Sequence, residues 1–268
     1  MRFYRTNLFT RRPLTIGLLF LTLILMDQGS SLAEGTDFHY QQWFNLGKKA
    51  GEEALSMMAK EGFPHDKGML IALSNAGYAE INNHSTQPAF DGLALVTGVS
   101  RGKQTLVEIH SDSQNRLWFA VYNTRTGACA YLQVAEKAEG KTVADATAAD
   151  IFSRRSLMRI DADYLFANVA AAHKNFEEKP FDGNEFRIVT IANAVAKGAP
   201  SSAVRAFEFH DHFCPGVSSG ILMASYIQHH FPRGTGSYFI HTVNPWCNED
   251  ALLVLLNTTP GKNSYCVS

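Results

Sequence analysis

Phe209-His210-Asp211-His212-Phe213-Cys214-Pro215-Gly216 sets two imidazoles and a thiol directly before a proline-glycine pair. Read as an extended segment over residues 207–214, it throws His210, His212 and Cys214 onto one face and Phe207, Phe209 and Phe213 onto the other. Pro215 suits a first helical turn, where its missing N–H would have had no partner. From there Val217, Ile221, Ala224, Ile227 and Phe231 recur at three and four spacing, which predicts an amphipathic helix. Cys214 then sits at a helix N-terminus, where free N–H groups and the helix dipole favour a thiolate that binds metal or attacks an electrophile.

Working outward, the chain resembles itself. At an offset of 169, residues 43–51 fall over 212–220, bringing Phe44 over Phe213, Gly47 over Gly216 and Gly51 over Gly220. The same offset sets the strand-like residues 69–75 over 238–244, and an offset of 159 sets 91–96 over 250–255 and Gly102-Lys103 over Gly261-Lys262. Each copy is expected to run helix, strand, turn, helix and Gly-Lys loop, as an ancient duplication would. In the first copy the loop leads into residues 105–110 and 117–122, which alternate like a hairpin; the second has no room for one before Ser268. Where the second copy has His210, His212, Cys214 and Cys247, the first has Gln41, Trp43, Asn45 and Tyr78, none a good soft-metal ligand.

The expected fold is therefore α+β: two related core units in tandem, the first degenerate, behind an N-terminal signal segment. The boundaries fall at 1–33 for an export signal, 34–140 for the first copy, 141–204 for a helical connecting region and 205–268 for the metal-site copy. Helices are expected over 162–174 and 184–197, with Gly198-Ala199-Pro200-Ser201-Ser202 as the linker.

With 268 residues, 46% of them hydrophobic and 18% charged, the chain has enough apolar material for one large core or two small ones. A net charge of -1 without a basic stripe argues against a nucleic-acid partner. Arg2, Arg5, Arg11 and Arg12 precede an apolar stretch over 14–26, and Ser31-Leu32-Ala33 resembles a cleavage site, so periplasmic or other export is expected. Thr10-Arg11-Arg12-Pro13-Leu14 also has the look of a twin-arginine signal. Four cysteines, Cys129, Cys214, Cys247 and Cys266, are too scattered for a disulfide scaffold, although a Cys214–Cys247 bridge would suit an exported chain. There is no phosphate loop and no nucleophile elbow.

The 209–216 block, with Gly220 beyond it, resembles the signature of the FmdE family, whose name derives from formylmethanofuran dehydrogenase. Cys247-Asn248-Glu249-Asp250-Ala251, followed by Thr259-Pro260-Gly261-Lys262, is similar to that family's second block. The resemblance spans about residues 205–263. It implies an α+β core that often forms intertwined dimers and a metal bound near the histidines and cysteine, in a family named for association with molybdenum or tungsten enzymes. Asp211 stands where the family has a glycine. A tandem chain could rebuild the family's dimer internally, with a homodimer as the other arrangement.

The candidate ligands are His210, His212, Cys214 and Cys247. Imidazole and thiolate together select zinc first, then nickel, copper or iron. Asp250 is open to three roles: helix-terminal acid, ligand, or partner orienting a histidine. The functional expectation is a metal-binding protein serving metal handling or a redox partner. An enzyme using Cys214 or a metal-bound water, and an adaptor with a vestigial site, are the alternatives.

Overall fold

The computed structural model describes residues 31–64, 66–136 and 146–268, with side chains from residue 38 onward. The arginines and apolar stretch of the expected export signal lie outside the described residues, whereas its expected cleavage site, Ser31-Leu32-Ala33, falls in the described helix Ser31–Lys60. No helix among those described is long and apolar enough to cross a membrane. The chain divides into two compact units, residues 1–41 and 42–268. In the first, the described residues are helical.

The second unit is a mixed α/β body built on a five-stranded sheet. Its strands are β1 (Leu70–Ser74), β4 (Leu106–Glu108), β5 (Trp118–Asn123), β6 (Ala128–Val134) and β7 (Phe152–Arg159), in the order β4-β1-β5-β6-β7. β1 and β4 are parallel and every other pair is antiparallel. Two short strands, β2 (Glu80–Ile81) and β3 (His84–Ser85), form a separate hairpin. Because side chains alternate across a strand, the sheet has two apolar faces. Leu70, Ala72, Phe119, Val121, Ala130 and Leu132 face α1 (Ser31–Lys60) and α2 (Ala89–Thr97), which contribute Leu46, Ala50, Ala54 and Leu93. Ile71, Leu73, Ala120, Tyr122, Cys129 and Tyr131 face the helices of the C-terminal half.

The expected hairpin of 105–110 with 117–122 does not form: β4 and β5 lie on opposite sides of β1. Polar anchors explain this. Asn75 donates its side-chain amide to the Arg116 carbonyl at 3.0 Å and accepts from the Trp118 N–H at 3.0 Å. Ser74 Oγ donates to the Trp118 carbonyl. Buried polar groups must be paired, and pairing these two locks β1 against β5. The hairpin that does form joins β5 to β6, with Asn123 Oδ1 accepting from the Arg125 and Thr126 N–H groups at the turn.

Beyond β6, α3 (Ala148–Ile151) opens with a Thr147–Asp150 capping box and runs into β7. β7 is a strand inside the segment expected to be helical. α4 (Ala162–Ala167), α5 (Val169–Glu177) and α6 (Glu185–Ala196) follow where helices were expected. The 198–202 segment turns α6 into α7 (Ser201–His210), and Ile188, Ile191 and Ala192 of α6 share one core with Ala203, Val204, Ala206 and Phe207 of α7. The segment itself is mostly exposed, a surface turn between two helices that share a core.

The chain ends with α8 (Pro215–His230), β8 (Ile240–Thr242), α9 (Cys247–Leu256) and β9 (Tyr265–Val267). β8 and β9 pair in parallel, so a strand does form after Gly261-Lys262, joined to β8 through α9. The same order, parallel strands joined through a helix, occurs in β1, α2 and β4.

Candidate metal centre

Residues 207–210 are helical, which corrects the extended reading of 207–214. The alternation of rings and ligands is real in the sequence. However, Ala203, Val204, Ala206 and Phe207 share a helical face, and burying them against α6 and the sheet outweighs it. The end of α7 is fixed by β4 and its flank. Glu208 accepts from the Glu108 N–H at 3.1 Å and pairs with Arg101, the His110 N–H donates to the Glu208 carbonyl at 2.9 Å, and the His110 ring stacks on Phe209 at 5.3 Å. Desolvation pushes the Glu208 carboxyl above its ordinary value, against the lowering pull of Arg101.

α7 stops at Asp211, whose backbone is left-handed at φ 65°. The resemblance puts a glycine here, and the conformation gives the reason, since glycine enters this region without a Cβ penalty. Aspartate is tolerated there better than most residues. Its carboxylate meets Arg187 of α6 at 2.7 Å and the Nδ1 of His212 at 2.7 Å.

The chain then extends through Cys214, the N-cap of α8, whose Sγ accepts from the Val217 N–H at 3.4 Å. The thiol does for this helix what a serine or aspartate oxygen usually does. α8 lies against α9 at unusually short range. A Cβ on Gly220 would stand 2.3 Å from the Asn248 carbonyl oxygen, and one on Gly216 would stand 2.7 Å from the Cβ of Cys247. This close approach brings Cys247, the first residue of α9, beside Cys214.

One ligand atom each from His210, Cys214 and Cys247 lies within 4.8 Å of the other two. His210 Nε2 is 3.7 Å from Cys214 Sγ, and its Nδ1 is 2.7 Å from Asp250 Oδ2 on the first turn of α9. Of the three roles open to Asp250, the contact with His210 fits the orienting one, and its place in the first turn of α9 is at the same time that of a helix-terminal acid. A carboxylate on one ring nitrogen fixes the tautomer and aims the other nitrogen at the sulfurs. For tetrahedral zinc with bonds of about 2.1 Å to nitrogen and 2.3 Å to sulfur, adjacent donors stand about 3.6–3.8 Å apart. The His210–Cys214 separation meets that requirement, and the donor set suits a late transition ion. Desolvation raises the Cys247 thiol, as do its hydrogen bond to Cys214 and the charge on that sulfur. All four cysteines are free, so Cys214 and Cys247 are neighbours without a bridge.

His212 stands outside this three-atom group. Its Nδ1 is engaged by Asp211, its ring packs on Phe186 at 5.1 Å, and its centroid is 4.3 Å from that of His210. His229 and His230 are exposed at the end of α8, and His241 bonds Ser268 Oγ at 2.9 Å. Cys129 is fully buried in β6, where desolvation drives its thiol far up. Cys266 is exposed on β9. Lys262 bonds the side chain of Asn257. Arg187 and Glu208 support the site from α6 and α7; only spatial proximity reveals them.

Residues 209–268 match the family model described as FmdE, Molybdenum formylmethanofuran dehydrogenase operon. The match supports an assignment of the C-terminal part of the chain to that family and contains the whole His210–Cys214–Cys247 group. No curated protein and no solved structure matches the chain.

Proposed function

We propose that the protein binds a single late transition-metal ion, zinc first among them, through His210 Nε2, Cys214 Sγ and Cys247 Sγ. The observation that carries this reading is the 3.7 Å approach of His210 Nε2 to Cys214 Sγ while Asp250 holds the opposite nitrogen at 2.7 Å. Three protein donors leave one tetrahedral position for an exogenous ligand, the pattern of an exchanging or reactive site. His212, also a ligand expected from sequence, stands beside His210 with its own Nδ1 held by Asp211.

When bound, the ion supplies Lewis acidity and an exchangeable coordination position. The chain's own part is to aim His210, to hold Cys214 at the start of α8, and to bring Cys247 up through the α8–α9 contact. Metal handling, or delivery to a redox partner, fits a half-open site better than a purely structural role does. The description of the matching family, a molybdenum formylmethanofuran dehydrogenase operon, makes a molybdenum or tungsten enzyme the first partner to test.

Two further parts of the reading concern organisation. The leader is proposed to direct export to the periplasm. The two halves are proposed to descend from a duplication, because both carry parallel strands joined through a helix and because Gly47 aligns with Gly216. A Cβ at Gly47 would stand 1.8 Å from the Ala89 carbonyl oxygen at the start of α2, the counterpart of the Gly216–Cys247 approach.

The deciding experiment is metal analysis of the purified protein beside His210→Ala, Cys214→Ser and Cys247→Ser. One equivalent of metal, lost in all three variants with the fold retained, supports the reading. A metal-free protein that takes up no added zinc or cobalt ends it.

A further inference from the structure

Cys214 is also part of the wall of a cavity of about 830 Å³ between α4, α5, α6 and the start of α8. That volume is in the range of small-molecule sites. The wall is almost entirely apolar: Leu165, Phe166, Val169, Phe176 and Val189 line it from three helices. Phe166, Val169 and Phe186 are 81%, 63% and 58% exposed, whereas Ile188, Ile191 and Ala192 of α6 belong to the core. Two polar side chains of the wall have partners: Lys197 pairs with Asp163 at 3.5 Å, and His173 Nδ1 lies 3.4 Å from Glu177 Oε1.

One residue joins this cavity to the metal centre: Cys214 belongs to both. Close by, Phe186 of the wall packs at 5.1 Å on His212, whose ring neighbours that of His210. We infer that the cavity receives a small apolar molecule bearing a sulfur head group, whose thiolate fills the fourth coordination position while its hydrocarbon body lies among the α4–α6 side chains. The inference rests on the three-donor metal reading. The metal centre favours a soft head, the apolar wall favours a hydrocarbon body, and Cys214, which belongs to both, is where the two would meet in one molecule. Binding transfers the thiol proton to solvent and forms a metal–sulfur bond; no oxidant or reductant takes part.

The test uses full-length protein loaded with cobalt(II), whose visible spectrum reports the coordination sphere, and a series of phenylalkyl thiols from benzyl to 4-phenylbutyl. Cobalt uptake is measured first, so failure of the metal reading shows there as absent uptake and overturns both proposals. If uptake is stoichiometric, each thiol should alter the spectrum. Affinity should rise with chain length, by up to roughly fourfold for each fully buried methylene. Ala194→Trp, which fills the cavity, should abolish the length dependence while leaving cobalt content and the response to 2-mercaptoethanol unchanged. Val189→Phe gives the same comparison if Ala194→Trp does not fold. Normal cobalt uptake with affinity independent of chain length, or length dependence that survives a folded cavity variant, overturns this inference and leaves the metal reading standing.

Discussion

Gly220→Ala tests whether the metal centre depends on the contact between α8 and α9. The new Cβ would lie 2.3 Å from the Asn248 carbonyl oxygen and 2.8 Å from the Ala251 Cβ. Ordinary contact needs about 3.4 Å or more, so the helices must part by about 1 Å. Neither obstacle is a flexible side-chain tip: one is backbone and the other a Cβ on a buried residue. Overpacking of this kind costs about 1–3 kcal/mol, and each kcal/mol lowers Tm by roughly 2–4 °C in a domain of 150–250 residues. The same displacement carries Cys247 away from Cys214 and His210, whose ligand atoms now lie within 4.8 Å. Thermal unfolding of the metal-free protein should show the stability loss, and chelator competition should show weaker zinc binding as a separate effect. An alanine variant with wild-type Tm and wild-type zinc affinity would refute the reasoning, because the close approach would then be holding nothing in place.

Asp250→Asn should weaken zinc about 10- to 100-fold in chelator competition, by loosening the orientation of His210 without removing a donor. His212→Ala should retain one equivalent of metal whereas His210→Ala loses it, and equal losses would make His212 a ligand. Asp211→Ala should destabilise the protein by about 1–2 kcal/mol through its left-handed backbone, and Asp211→Gly by less; denaturant titration compares them. Glu208 gives a pH signature. Its folded carboxyl is raised above 4.5, so its contribution to stability is fully present below the ordinary value and is lost as pH rises through the raised one. Glu208→Gln should flatten the stability profile just above pH 4.5.

What could be read from the sequence followed from how local each signal is. α8 was legible because Pro215 and the spacing of Val217, Ile221, Ala224 and Ile227 all speak within one helix, and Cys214 falls at its cap. α7 was misread because Phe207, Phe209 and Phe213 alternate as convincingly as a strand, while β4, which fixes its end through Glu108 and Glu208, lies about a hundred residues earlier in the chain. β7 was missed because it is an edge strand: Phe152 is its one buried residue, and Arg154, Arg155 and Arg159 interrupt any apolar alternation. The supposed β4–β5 hairpin failed for want of a long-range fact, the anchoring of β1 by Asn75 and Ser74. At the site, Cys214 and His210 come together within four residues and their type suggested a metal. The juxtaposition with Cys247 and the role of Asp250 depend on two helices meeting at glycines, which only the three-dimensional structure displays.

Holding the Cys214 sulfur by a main-chain N–H as well as offering it to an ion gives that atom a resting place when no cation is present. The helix start therefore need not unravel for a cation to leave, nor refold for one to arrive. On the metal-handling reading proposed above, loading and release would be changes at a prepared docking point, in contrast to small zinc modules whose chain collapses only around its ion. A protein built that way would pass its cargo on and remain ready for the next.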